Sequence, residues 1–150
     1  MIRAMARALT LAGAGLVAAA ALPTGSGSLL AQGVSATASP TEGSAQRRAI
    51  LDAIRPGVEA QIGPNVEFVV RRLRVVRGWA LVIADPQRRG GRPIDGHRYF
   101  PHFDEMGGLM VTAVLRFQRG RWRVVEQAIG ATDVWFCDMG PPGLTPSCRL

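Results

Sequence analysis

The sequence predicts an α+β domain in which a kinked N-terminal helix packs on a curved four-stranded antiparallel sheet, with a C-terminal disulfide loop. Three observations carry that reading. Apolar residues recur once at helical spacing, four later apolar runs read as strands, two of them alternating at a period of two, and two Arg-Gly pairs join those runs into hairpins.

The elements follow in order. Arg3 and Arg7 make a positive start, and fifteen almost wholly apolar residues, Ala8 to Leu22, run up to Pro23. That run is too short to span a bilayer, and small residues follow it. Residues 1–33 are therefore expected to be an export signal, cleaved after Gly33 or, as the alternative, after Ala31. Residues 34–43, rich in Ser, Thr, Ala and Gly, are expected to be a flexible linker to a single domain over 44–150. Ser44 is placed to cap a helix whose apolar stripe is Ile50, Leu51, Ile54, Val58 and Ile62. Pro56 lacks an amide donor and crowds the turn before it, so the spacing predicts a kinked helix, or two short ones meeting at Arg55. Gly63-Pro64 ends it.

The strands come next. Val66, Phe68 and Val70 alternate on one phase and Leu73 and Val75 on the other, which predicts a β-bulge near Val69 to Arg71. Arg77-Gly78 turns this strand into Trp79 to Ala84, which Asp85-Pro86 is expected to stop. After a long loop, Pro86 to Gly108, Leu109, Val111, Ala113, Leu115 and Phe117 alternate with Met110, Thr112, Val114, Arg116 and Gln118. Arg119-Gly120 then turns into a last strand, Trp122 to Ile129.

Every one of the 18 basic residues is Arg. Without Arg3 and Arg7, 16 Arg face 11 acids, a net charge of +5. That excess draws anionic surfaces from a distance but is too small, in an exported chain, to point to nucleic acid. About 115 residues remain, enough for one core and not two. Cys137 and Cys148 make an even pair in a chain expected in the periplasm or outside the cell, which predicts a disulfide worth about 3 kcal/mol. Their spacing is not that of a redox-active Cys-x-x-Cys pair.

Chemistry concentrates in the 86–108 loop. Arg88, Arg89 and Arg92, interleaved with Gly90 and Gly91, suit phosphate or carboxylate, because guanidinium forks match those anions. Asp95, His97, His102 and Asp104 carry the imidazole and carboxylate donors of a divalent metal site, although Arg98 between them adds repulsion. Tyr99, Phe100 and Phe103 are suited to dock the loop. On the strands, Arg72, Arg74, Arg116 and Arg123 alternate with apolar residues, which predicts a wet basic face on the sheet. Trp135 and Phe136 are expected to close one end of the core. The chain has no Gly-x-Ser-x-Gly elbow, phosphate-binding P-loop or dinucleotide fingerprint.

The stretch Gly120-Arg121-Trp122-Arg123-Val124-Val125-Glu126 resembles the last hairpin of many NTF2-like domains. The order of elements over Ser44 to Ile129 resembles the cystatin-like and NTF2-like folds, as found in small exported bacterial proteins. That resemblance implies a helix held in the concave face of a bent sheet. NTF2-like enzymes often set a His and an Asp inside the cavity, so an alternative expectation is a small-molecule-binding or acid–base or metal-dependent enzyme using His97 and His102. Either histidine would have to fold back toward Asp85 or Glu126. The first expectation is a non-enzymatic binding or accessory module of the bacterial envelope. It would contact a protein or an anionic envelope component through the basic sheet face and the 86–108 loop, with no cofactor, and would meet a membrane only transiently, through the export signal.

Overall fold

The computed structural model describes residues 37–145 and Cys148, all within the unit Gln32–Leu150. The expected export signal, and residues 34–36 of the expected linker, lie outside the described residues. One helix, α1 (Ala45–Ile62), packs on a four-stranded antiparallel sheet of β1 (Val66–Val76), β2 (Trp79–Arg88), β3 (Val111–Gln118) and β4 (Arg121–Ile129), in that spatial order. Among the described residues no helix is long and apolar enough to cross a membrane.

Ser44 caps α1, its hydroxyl accepting the Arg47 amide at 3.2 Å. Ser44→Ala is expected to lower stability by about 1 kcal/mol, read as an earlier urea midpoint at unchanged slope. The helix is one continuous element through Pro56 rather than two. Ile50, Ile54, Val58 and Ile62 are fully buried against the sheet. Burying Ile54 and Val58 on either side of the proline contributes about 2 kcal/mol each. That offsets the broken helical hydrogen bond and ring clash, about 3 kcal/mol.

The helix also grips the first residue of β1. Glu59 accepts the Val66 amide at 3.0 Å, and Arg55 donates to the Val66 carbonyl while its guanidinium lies 5.3 Å from the Phe68 ring centre. The expected bulge is present between Val70 and Arg72. A second shifts the register of β4 at Val125, where two adjacent valines hide the change of phase from the sequence. Both edge strands are therefore bulged, and bulges bend a strand. Both hairpins close through Arg-Gly pairs in which each central residue has positive φ, 48° and 76° at Arg77-Gly78, 50° and 77° at Arg119-Gly120. That is the backbone a two-residue I′ turn requires.

Strand β2 corrects the sequence reading. It does not stop at Asp85-Pro86 but runs to Arg88, paired with β1 alone beyond Ala84. The Arg88 amide points away from β1, to the Arg92 carbonyl at 2.8 Å. Pro86, two residues earlier, has its nitrogen on that same side, beyond the end of β3. Its missing donor costs no ladder bond.

The sheet face away from the helix is not simply wet. Val76, Leu81 and Val114 are buried there under Leu144, with Trp79, Trp135, Phe136 and Met139 packed around them. A short turn, Trp135–Asp138, and the Cys137–Cys148 disulfide hold the C-terminal segment over this second apolar cluster. The described part of the expected linker is not wholly detached either: Ala38 exchanges two backbone hydrogen bonds with Val75, 2.8 and 2.7 Å.

Candidate functional site

The C-terminus of α1, the end of β2 and the following loop meet at one end of the sheet. Arg88 organises the junction. Its Nη1 donates to the carbonyls of Gly63 (3.1 Å) and Pro64 (2.6 Å), and its Nη2 to Ile62 O and to the Tyr99 hydroxyl (2.8 Å). The helix has no basic residue in its own last turn. A guanidinium from β2 therefore supplies the positive charge its terminal carbonyls favour.

With Arg88 fixed, a turn closed by the Gly91 amide on Arg88 O (3.1 Å) sends the chain back on itself. Arg89, Arg92 and Arg98 then line, with Arg88, Tyr99 and Asn65, a polar cleft of about 510 Å³. Among the described residues no carboxylate lines it. Beside it, Glu67 stands 3.9 Å from Arg89 in an exposed pair, a geometry worth little in water. Arg92 and Arg98 are exposed, and neither makes a side-chain hydrogen bond or ion pair among the described residues. Tyr99 accepts from Arg88, which leaves its own phenolic proton to be donated. Several guanidinium forks and a hydroxyl donor, with no carboxylate among the described lining residues, suit an oxyanion.

No family model, curated protein or solved structure matches the chain.

Of the four expected metal donors, the fold joins only one pair. His97 Nε2 is 3.5 Å from Asp104 Oδ1, both exposed. Asp95 turns to its own backbone instead, capping the short turn Gly96–Arg98 by accepting the His97 amide at 3.1 Å. His102 opens the next turn, Phe103–Glu105, with its side chain exposed and making no cap bond. Among the described residues no three His, Cys, Asp or Glu side chains converge on one point. Packing orders this loop. The Phe103 ring lies over Gly96, leaving no room there for a Cβ, and its edge meets His97 at 4.9 Å between centres. Ile94, Tyr99, Phe100, Met106 and Leu109 then pack against the main core.

The acid–base alternative finds no assembled pair. Asp85 stands on the sheet face away from the helix, hydrogen-bonded to Arg71, and holds that guanidinium above its ordinary value. Glu126 is exposed beside the β4 bulge, and no contact joins it or Asp85 to a histidine among the described residues.

The basic face is divided rather than continuous. Arg72 and Arg74 lie on the β1 edge, where Arg74 Nε donates to Gly143 O at 2.5 Å. Arg116 and Arg123 pair with each other near the far edge, with Arg116 stacked 5.3 Å from the Trp79 ring centre. Between them, the second apolar cluster and the C-terminal segment occupy the sheet.

Sequence reasoning missed Arg98 and Tyr99 as cleft residues. Their position depends on two short turns whose caps, Asp95 and His102, read in the sequence as metal donors.

Proposed function

We propose that this chain is an exported, non-enzymatic binding or accessory module of the bacterial envelope that seats an anionic group of its partner in the arginine cleft. The cleft carries the reading: Arg89, Arg92 and Arg98 beside a fixed Arg88 and the Tyr99 hydroxyl, with no acid among the described residues of its wall. The disulfide supports export, since such bridges persist in oxidising compartments. A cystatin-like or NTF2-like arrangement is part of the same proposal, supported by the helix on one face of a sheet with bulged edges.

Calorimetric titration with inorganic tripolyphosphate tests it. Binding is expected and should weaken as salt rises, because exposed charges are screened. Arg92→Gln and Arg98→Gln should each weaken it about tenfold, the worth of one charge-assisted hydrogen bond. Absence of binding at low salt, or affinity unchanged in the double variant, would overturn the assignment.

A further inference from the structure

The opposite end of the sheet carries a different kind of site. Both Arg-Gly turns lie there, tied together by the Phe117 amide on Gly78 O at 2.7 Å, and the N-terminal half of α1 runs beside them. Between helix and hairpins is an open groove of about 540 Å³, walled by Ala49, Ala53, Gly78, Phe117, Gly120 and Trp122. Unlike the arginine cleft, this groove is apolar. Trp122 forms its floor, 8% exposed, with Phe117 beside it at 5.3 Å between ring centres and 48% exposed. Val124 and Val125 on β4 continue the apolar surface, 36% and 48% exposed. Three of the five exposed large apolar residues among those described thus fall on one hairpin.

The surrounding charge is positive. Arg121 lines the groove, and Arg77 and Arg119 occupy the turns beside its two glycines, making no ion pair among the described residues. Arg47 and Arg48 stand in the first turn of α1, where there is no acidic residue. Cations at a helix N-terminus oppose the macrodipole. Arg48 donates to Gly43 O, and the acids closest in sequence are Asp52, four residues on and paired with Arg55 at 3.4 Å, Glu42 before the helix and Glu126 beyond the β4 bulge, all three exposed. Arginines placed against a helix dipole, around exposed apolar side chains, are a poor arrangement for water alone. They suit a surface that is apolar beneath and anionic on top, where aromatic and aliphatic side chains enter the headgroup layer and each cation gains from the surface potential.

We infer that this end of the domain docks on an anionic lipid bilayer, with Phe117, Val124 and Val125 entering the interface and Arg77, Arg119 and Arg121 on the headgroups. Strand β1 spans about 30 Å from this end to the arginine cleft. The domain therefore faces the membrane with its turns and presents the cleft away from it.

The test uses the chain recovered from cells after export, mixed with vesicles of phosphatidylcholine alone or with equimolar phosphatidylglycerol. The readouts are co-sedimentation and hydrogen–deuterium exchange. Binding is expected only to the phosphatidylglycerol vesicles, with new protection over residues 77–79 and 117–125. Replacing Arg77, Arg119 and Arg121 by Gln should weaken partitioning about 100-fold, about fivefold per arginine. Phe117→Ser should remove the protection at 117–125, while far-UV circular dichroism stays as in the parent. Arg92→Gln with Arg98→Gln should leave vesicle binding intact. Failure to bind phosphatidylglycerol vesicles, binding without protection of the turns, or binding lost with the cleft variants and kept with the turn variants would overturn the inference. None of these results depends on whether the cleft binds tripolyphosphate.

Discussion

Arg88→Ala is expected to destabilise the domain by about 3 kcal/mol, the combined effect of lost charge-assisted hydrogen bonds and partly buried carbonyls left unpaired. Three backbone carbonyls, those of Ile62, Gly63 and Pro64, and the Tyr99 hydroxyl all receive donors from this one side chain. Water can reach some of these groups after truncation, which keeps the cost below the sum of separate bonds. Arg88→Lys should recover only part of the loss, because an ammonium lacks the planar fork that reaches several carbonyls at once. Urea unfolding of the three proteins measures both effects. Equal midpoints for parent and Arg88→Ala would mean that the helix end is held by α1 packing alone. The same substitution should loosen Tyr99, so anion binding should fall along with stability. Arg92→Gln should weaken binding and leave the urea midpoint in place.

Loss of the Cys137–Cys148 bridge is the second large effect. The two residues are 11 apart in sequence, with Cα atoms at 5.4 Å, and closing a ring of that size is worth about 3 kcal/mol in the loop-entropy model. The structure adds a reason to expect the full amount. The ring holds fully buried Leu144 over Val76, Leu81 and Val114, and Thr145 donates to Cys137 O across it at 3.2 Å. Replacing both cysteines by Ser should lower the urea midpoint and expose this cluster, read as faster hydrogen exchange in the C-terminal segment and increased binding of an apolar dye. Exchange within α1 and on the helix-facing side of the sheet should change less. An unchanged midpoint would show that Leu144, Trp135 and Phe136 keep the segment in place without covalent help.

Much of the fold was legible because it is set by period and local chemistry. The α1 stripe, four strands, the first bulge and both turns follow from residue spacing and from glycine's tolerance of positive φ. Pro86 misled because its cost depends on which neighbour its nitrogen faces, and strand pairing alone decides that. The expectation of a wet basic face came from alternation within single strands. It could not reveal that a C-terminal segment folds back over Leu81 and Val114. The loop histidines likewise stand in a spacing open to metal, but Asp95 is drawn to the His97 amide two residues on, and Phe103 takes the space over Gly96.

By itself the sequence determined one amphipathic helix, two hairpins, a cysteine pair able to close and an excess of arginine, since each depends on neighbours within about one turn or one strand. Tertiary structure decided what the arginines do. Arg88 caps a helix that ends 26 residues earlier, and Arg98 joins Arg89 and Arg92 only because two short turns fold the loop back. Arg77 and Arg119 sit at one end because the hairpins lie side by side. Charge acts through space over several ångströms regardless of chain separation, so its roles are fixed only when the whole chain is in place.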